Sequence, residues 1–166
     1  MKALVVYESL WGHTAAIARA IADGIGPDAR AVTTDEATDE ALAEADLVVA
    51  GAPVLAFNLA TEGIRDKLAA DPGKAPTPPD LDHPSMRSWL DELPEGHGRA
   101  AAFETRIWWS PRGATAAIDR GLRRAGYRKA AKAQKFVVEG TYGPLREGEI
   151  DRARRWGVEL AQEITA

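Results

Sequence analysis

Ala3-Leu4-Val5-Val6-Tyr7 is apolar at every position, and such a run reads as a strand buried on both faces. It leads directly into Glu8-Ser9-Leu10-Trp11-Gly12-His13-Thr14, and then into an alanine-rich segment that puts Ile17, Ala20, Ile21 and Gly24 on one helical face. A hydroxyl-rich turn between a buried strand and a helix leaves backbone N–H groups free at the positive end of the helix dipole. That makes it a candidate anion site, typically for phosphate. The turn lacks the Gly-Lys-Ser/Thr ending of a Walker loop and the G-x-G-x-x-G dinucleotide fingerprint, and it contains no lysine or arginine. A phosphate held here would rest on N–H groups and on the hydroxyls of Ser9 and Thr14, with His13 as a further candidate donor.

The rest of the chain repeats the alternation. Ala29-Arg30-Ala31-Val32 reads as a short edge strand, and Asp39 to Glu44 as one or two helical turns. Asp46-Leu47-Val48-Val49-Ala50 is a strong strand, and Gly51-Ala52-Pro53 is expected to end it, since proline denies the ladder a donor. The loop from Val54 to Ala60 is too apolar for an idle surface turn. A helix is expected from Thr61-Glu62 towards Ala70, then irregular, exposed chain from Asp71 to Pro84 and a short amphipathic helix over 85–93 stopped by Pro94. Arg99 to Phe103 and Lys135 to Val138 complete the strands, with helices over 114–125 and 147–164. Strands alternating with helices imply a parallel sheet joined by right-handed crossovers, whose ligands bind at the carboxyl ends of strands. Residues 8–14, 51–60 and 104–113 converge on that end.

The 166 residues fit one domain, 1–166; 45% are hydrophobic and 28% charged, as in a globular protein. A net charge of −4 does not suggest nucleic acid as a partner, and no run approaches a membrane span. With no cysteine there are no disulfides, thiolate metal sites or Cys nucleophiles. With no secretory cleavage pattern at the start, the expected setting is cytoplasmic.

The three loops resemble those of flavodoxin-type proteins. Ser9, Gly12 and Thr14 match the family's Ser/Thr-x-Thr-Gly-x-Thr phosphate loop, with Trp11 where a hydroxyl residue is common. Gly51-Ala52-Pro53 resembles the second loop and Ala102-Phe103-Glu104-Thr105-Arg106 the third, while Gly143-Pro144-Leu145 with Glu147-Gly148-Glu149 resembles a tract before the last helix. The resemblance implies a flavodoxin-like three-layer α/β/α sandwich, with a five-stranded parallel sheet of order 2-1-3-4-5. It implies non-covalent FMN and electron transfer between redox partner proteins, neither reductase nor acceptor being identified. Ser9, Leu10, Trp11, Gly12, His13 and Thr14 would hold the phosphate. Pro53, Val54, Leu55, Ala56, Phe57 and Asn58 would embrace the isoalloxazine from one side, and Thr105, Arg106, Ile107, Trp108 and Trp109 from the other. Phe57, Trp108 and Trp109 are the stacking candidates. Such families often carry a glycine in the second loop to allow a peptide flip at flavin N5. This chain has none, Asn58 tolerating a left-handed conformation best, so a flip is expected to be costlier. Arg106 and Arg112 stand where electron carriers usually place carboxylates, against Glu8 and Glu104; a guanidinium near flavin N1 would raise the potential.

Two further functions share these residues: an FMN-dependent NAD(P)H oxidoreductase acting on quinones or other small acceptors, and a flavin-free binding module of the same fold. Trp89 and Trp156 read as core or half-core. His83 and His97 read as solvated, and three scattered histidines without cysteine make no metal site. Nothing marks Ser9 as a nucleophile, and no catalytic residue is assigned. The basic clusters at Arg123-Arg124, Arg128-Lys129 and 152–155 read as solvated helix faces, with docking of an acidic partner as the sharper alternative.

Overall fold

A computed structural model of the chain describes residues 1–71, 73 and 75–166; Pro72 and Lys74, in the segment read as irregular, lie outside the described residues. The strands are β1 (Ala3–Tyr7), β2 (Ala29–Thr33), β3 (Leu47–Leu55), β4 (Asn58–Leu59), β5 (Arg99–Ile107), β6 (Arg128–Lys129) and β7 (Gln134–Val138). The helices are α1 (His13–Ile25), α2 (Asp39–Glu44), α3 (Glu62–Ala70), α4 (Met86–Asp91), α5 (Thr115–Arg124) and α6 (Glu149–Thr165).

The five principal strands form a parallel sheet in the expected order, β2-β1-β3-β5 with β7 beyond β5. Two short strands are added. β6 pairs with the start of β5 and β7 with its end, so the two share one edge. β4 folds back antiparallel on β3.

Every residue of β1 is buried, and alternation along the central strands sends side chains to opposite layers. Val5, Val49 and Phe103 pack with Ile17 and Ile21 of α1 and with Trp156 and Leu160 of α6. Leu4, Val48 and Ala102 pack with Leu42 of α2, Met86 and Trp89 of α4 and Ile118 and Leu122 of α5. Trp89 and Trp156 are thus core residues, as the helical periodicity indicates. α1 and α6 touch at Gly24 and Gly157, where a Cβ on either glycine would overlap the other helix's backbone.

Two strand ends differ from expectation. β3 runs past Gly51-Ala52-Pro53 to Leu55. The Gly51 carbonyl faces β1, accepting from the Glu8 amide, so Pro53, two residues on, faces the same way. β1 pairs no further than Gly51, and the proline's missing donor therefore costs no ladder bond. β5 likewise extends to Ile107, taking in residues read as loop.

Gly24→Ala should test the helix contact. Alanine is the better helix former by about 1 kcal/mol. Overlap with the Arg154 carbonyl should nevertheless make the variant less stable by about 2 kcal/mol in urea unfolding. A gain in stability would show that α6 can move off α1 at little cost.

Candidate functional site

The carboxyl ends of β1, β3, β5 and β7 enclose a cleft of about 270 Å³. The turn after β1 supplies Ser9, Leu10, Trp11, His13 and Thr14 to its lining; the end of β3 supplies Pro53 to Phe57; and the end of β5 supplies Thr105, Arg106, Ile107 and Trp109. Of the residues anticipated from sequence, Gly12, Asn58 and Trp108 do not line it. Ser110, Val138 and Thr141 line it without having been anticipated. Among the described residues, no carboxylate lines the cleft and Arg106 is its one Lys or Arg.

Gly12 makes the first turn possible. It caps α1 at φ 97°, a left-handed conformation that only glycine adopts without strain. The Ser9 hydroxyl accepts from the amides of Gly12 (3.1 Å) and Ala15 (3.2 Å) and folds the turn around itself. Among the described residues, the amides of Leu10, Trp11, His13 and Thr14 have no acceptor. Four such N–H groups at a helix N-terminus beside an open cleft have the arrangement that suits an anion. The Thr14 hydroxyl meets that of Thr105 at 2.8 Å and joins the first loop to the third.

A segment read as exposed chain braces this turn from behind. The Asp80 amide donates to the Leu10 carbonyl (2.8 Å), and the Trp11 indole donates to the Thr77 carbonyl (3.1 Å). His83 is not solvated: it is buried, and its Nε2 accepts from the Ser9 amide at 3.1 Å, which leaves the proton on Nδ1, facing Asp80 at 3.7 Å. Burial holds His83 below the ordinary histidine pKa, against the attraction of Asp80. Below it, the wholly buried Glu8 accepts from the Met86 amide (2.9 Å) and faces Arg65 at 3.5 Å, and Arg65 bonds the His83 carbonyl (2.6 Å). Burial pushes the Glu8 carboxyl above its usual range despite the Met86 amide and Arg65. Nothing in the local sequence signals this brace, because its partners lie about 20 to 80 residues apart.

The second loop is a hairpin. Leu55 pairs with Asn58 across a two-residue turn in which Ala56 (φ 49°) and Phe57 (φ 62°) are both left-handed, the signature of a type I′ turn. The left-handed positions are therefore these two and not Asn58. Asn-Gly would adopt them easily; alanine and phenylalanine do so at a cost of about 1 kcal/mol each. The turn places the Phe57 ring edge-on to Trp109, with centroids 5.6 Å apart. Trp109 is 55% exposed at the rim, whereas Trp108 points away and is 66% exposed.

In the third loop, Glu104 is fully buried and caps α5, accepting from the Ala114 (2.8 Å) and Thr115 (3.0 Å) amides. Arg106 is paired with Glu104 at 3.3 Å and donates to the Ser110 carbonyl, so its charge is offset before it reaches the cleft. Arg112 is exposed outside the cleft. A fourth wall comes from the chain after β7. His13 Nε2 lies 2.9 Å from the Tyr142 carbonyl, and the Tyr142 ring stands edge-on to Trp11 at 5.0 Å. The glycines at 140 and 143, just past a strand end, were the available signal for this loop. Among the described residues there is no cluster able to hold a metal ion and no helix long and apolar enough to cross a membrane.

A parallel sheet wrapped on both faces, with a cleft over its carboxyl edge at an amide-lined helix N-terminus, defines a doubly wound α/β protein. Comparison with solved structures narrows this to the flavodoxin-like fold. A flavodoxin from the domain Archaea matches over the whole of both chains at 20% identity, with a TM-score of 0.68. Flavodoxin 2 from Bacillus cereus matches 98% of this chain and 99% of its own at 15% identity, with a TM-score of 0.67. A flavodiiron core from Synechocystis covers 99% of this chain at 18% identity and a TM-score of 0.62; the match spans 36% of that larger protein. No protein-family description and no curated protein matches the chain.

Two expectations follow. A histidine kept neutral by folding contributes its full stability above the ordinary pKa of about 6.5 and loses it as pH falls below that value, since the unfolded chain then binds the proton more readily. Glu8, with its raised pKa, acts in the opposite sense and is common to both proteins when parent and His83→Gln are compared. From about pH 7 to about pH 5 the parent Tm should fall by about 3 °C more than that of the variant; parallel curves would remove His83 from the brace. Arg106→Ala, by stripping the buried Glu104 of its counter-ion, should cost about 3 kcal/mol in urea unfolding. Parental stability would mean that the α5 amides suffice for the carboxylate.

Proposed function

We propose that this chain binds FMN in the cleft and carries electrons between redox partner proteins, acting as one domain in the cytoplasm. The carrying observation is the set of four acceptor-free amides, at Leu10, Trp11, His13 and Thr14, at one end of a cleft whose remaining walls are largely apolar. A flavin mononucleotide has the matching parts, an anionic phosphate and a flat ring that needs apolar walls with a few polar groups at its edge. When bound, FMN supplies one- or two-electron transfer.

The protein's share is binding and exclusion. The amides and the hydroxyls of Ser9 and Thr14 would hold the phosphate, with the brace at Asp80 and His83 keeping the turn in shape before the ligand arrives. Pro53 to Phe57 on one side and Thr105, Arg106, Ile107 and Trp109 on the other would flank the ring, Phe57 and Trp109 keeping water from its faces. The left-handed pair Ala56-Phe57 fixes which backbone groups the hairpin offers to the ring edge. Because Arg106 is tied to Glu104, it would raise the flavin potential less than a free guanidinium.

Titration of the purified protein with FMN, riboflavin and FAD, followed by absorbance and flavin fluorescence, tests this reading. FMN should bind at least about 100-fold more tightly than riboflavin, which lacks the phosphate. Gly12→Val should weaken FMN by at least about tenfold, through the strain it puts on the turn. Absence of FMN binding, or equal affinity for riboflavin, would overturn the proposal.

A further inference from the structure

Residues 112–135 hold eight of the chain's 21 basic side chains and one of its 25 acidic ones, in a protein of net charge −4. The structure gathers them on one edge of the molecule. β6 and β7 both pair with β5 and are the last strands of the sheet on that side, the outer side of β7 being met by an antiparallel bridge from Val138 to Leu145 and by Glu149 and Arg152 of α6. Lys135 stands in register with Glu104, whose carboxylate caps α5, which puts Lys135 on the α5 face. Lys129 reaches Asp119 of α5 at 3.5 Å, and Arg124 reaches Asp91 at 3.4 Å. The other six, Arg112, Arg120, Arg123, Arg128, Lys132 and Lys135, are exposed and without an ion-pair partner among the described residues.

Guarding an edge strand against pairing takes a charge or two on the strand itself. Here half of the unpaired cations lie on α5 and in the loop before it, where there is no edge to guard. That same loop carries Trp108 and Trp109, two of the three large apolar residues left exposed. Exposed tryptophans that share a loop with Arg112 and lead into the arginines of α5 supply the residue types enriched at interface centres. We propose that the α5–β6–β7 edge, with Trp108 as its apolar anchor, is a docking surface for an acidic protein. The charge distribution favours a compact partner over nucleic acid, because a long polyanion would run from the basic edge onto the acidic remainder of the surface. That the docked protein exchanges electrons with the cleft rests on the flavin reading; the docking itself does not.

Biolayer interferometry on the full chain, with and without FMN, uses two probes: a small acidic [2Fe–2S] ferredoxin and a small basic c-type cytochrome. The ferredoxin should bind the more tightly, losing at least about tenfold in affinity from about 20 to about 300 mM salt. The triple variant Arg123→Glu/Lys132→Glu/Lys135→Glu should lose at least about tenfold at low salt, each single reversal about threefold, and Trp108→Ala should weaken binding at all salt concentrations. Tighter binding of the cytochrome, indifference to the reversals, or displacement of the ferredoxin by duplex DNA or phosphatidylserine vesicles would overturn the proposal. None of the three reversed residues lines the cleft, so FMN titration of the same variant separates the readings. Reversal-sensitive docking without FMN binding would keep this surface and discard the flavin, and FMN binding without docking would do the converse.

Discussion

The turn from β1 into α1 has to satisfy its backbone in two directions, and much of the structure is arranged around that demand. Towards the interior, the Ser9 amide finds His83 and the Leu10 carbonyl finds Asp80. Towards the cleft, four amides find no acceptor among the described residues. A short turn cannot serve both sides from its own residues once Ser9 has used its hydroxyl to hold the turn closed. The inner side is therefore closed by chain from far along the sequence, and the outer side opens on the cleft.

The brace explains two buried charges that would otherwise be a poor use of core space. Glu8 and Arg65 lie 3.5 Å apart without a hydrogen bond between them, which is weak stabilisation for a desolvated pair. Each also holds backbone of the brace, Glu8 the Met86 amide and Arg65 the His83 carbonyl. Their contribution is to position the 80–86 segment against the turn. Glu104 and Arg106 do the same across the cleft, where one carboxylate caps α5 and anchors the guanidinium that bonds the Ser110 carbonyl.

The layers of the fold were legible in the sequence because burial on both faces writes itself into short windows such as Ala3 to Tyr7. The first and third walls of the cleft were legible for a related reason: they follow those strands. The hairpin after β3 was not, since Ala56-Phe57 is a poor sequence for a type I′ turn and its geometry is imposed by pairing with β4 and by the Phe57–Trp109 contact. Proline at 53 misled in the other direction, because whether a missing donor matters depends on the neighbour that β1 no longer supplies. His83 was read as solvated from its polar, proline-rich surroundings; a residue whose burial comes from a partner 74 positions away leaves no local trace.

The glycine contact between α1 and α6 sets an order of events. Ile17 and Ile21 share their core layer with Trp156 and Leu160, far along the sequence. Until α6 docks, the side of the sheet and of α1 that carries Ile17 and Ile21 has no cover for its apolar surface. A contact so distant in sequence forms slowly, and the apolar layer is open to aggregation for as long as it is unmade.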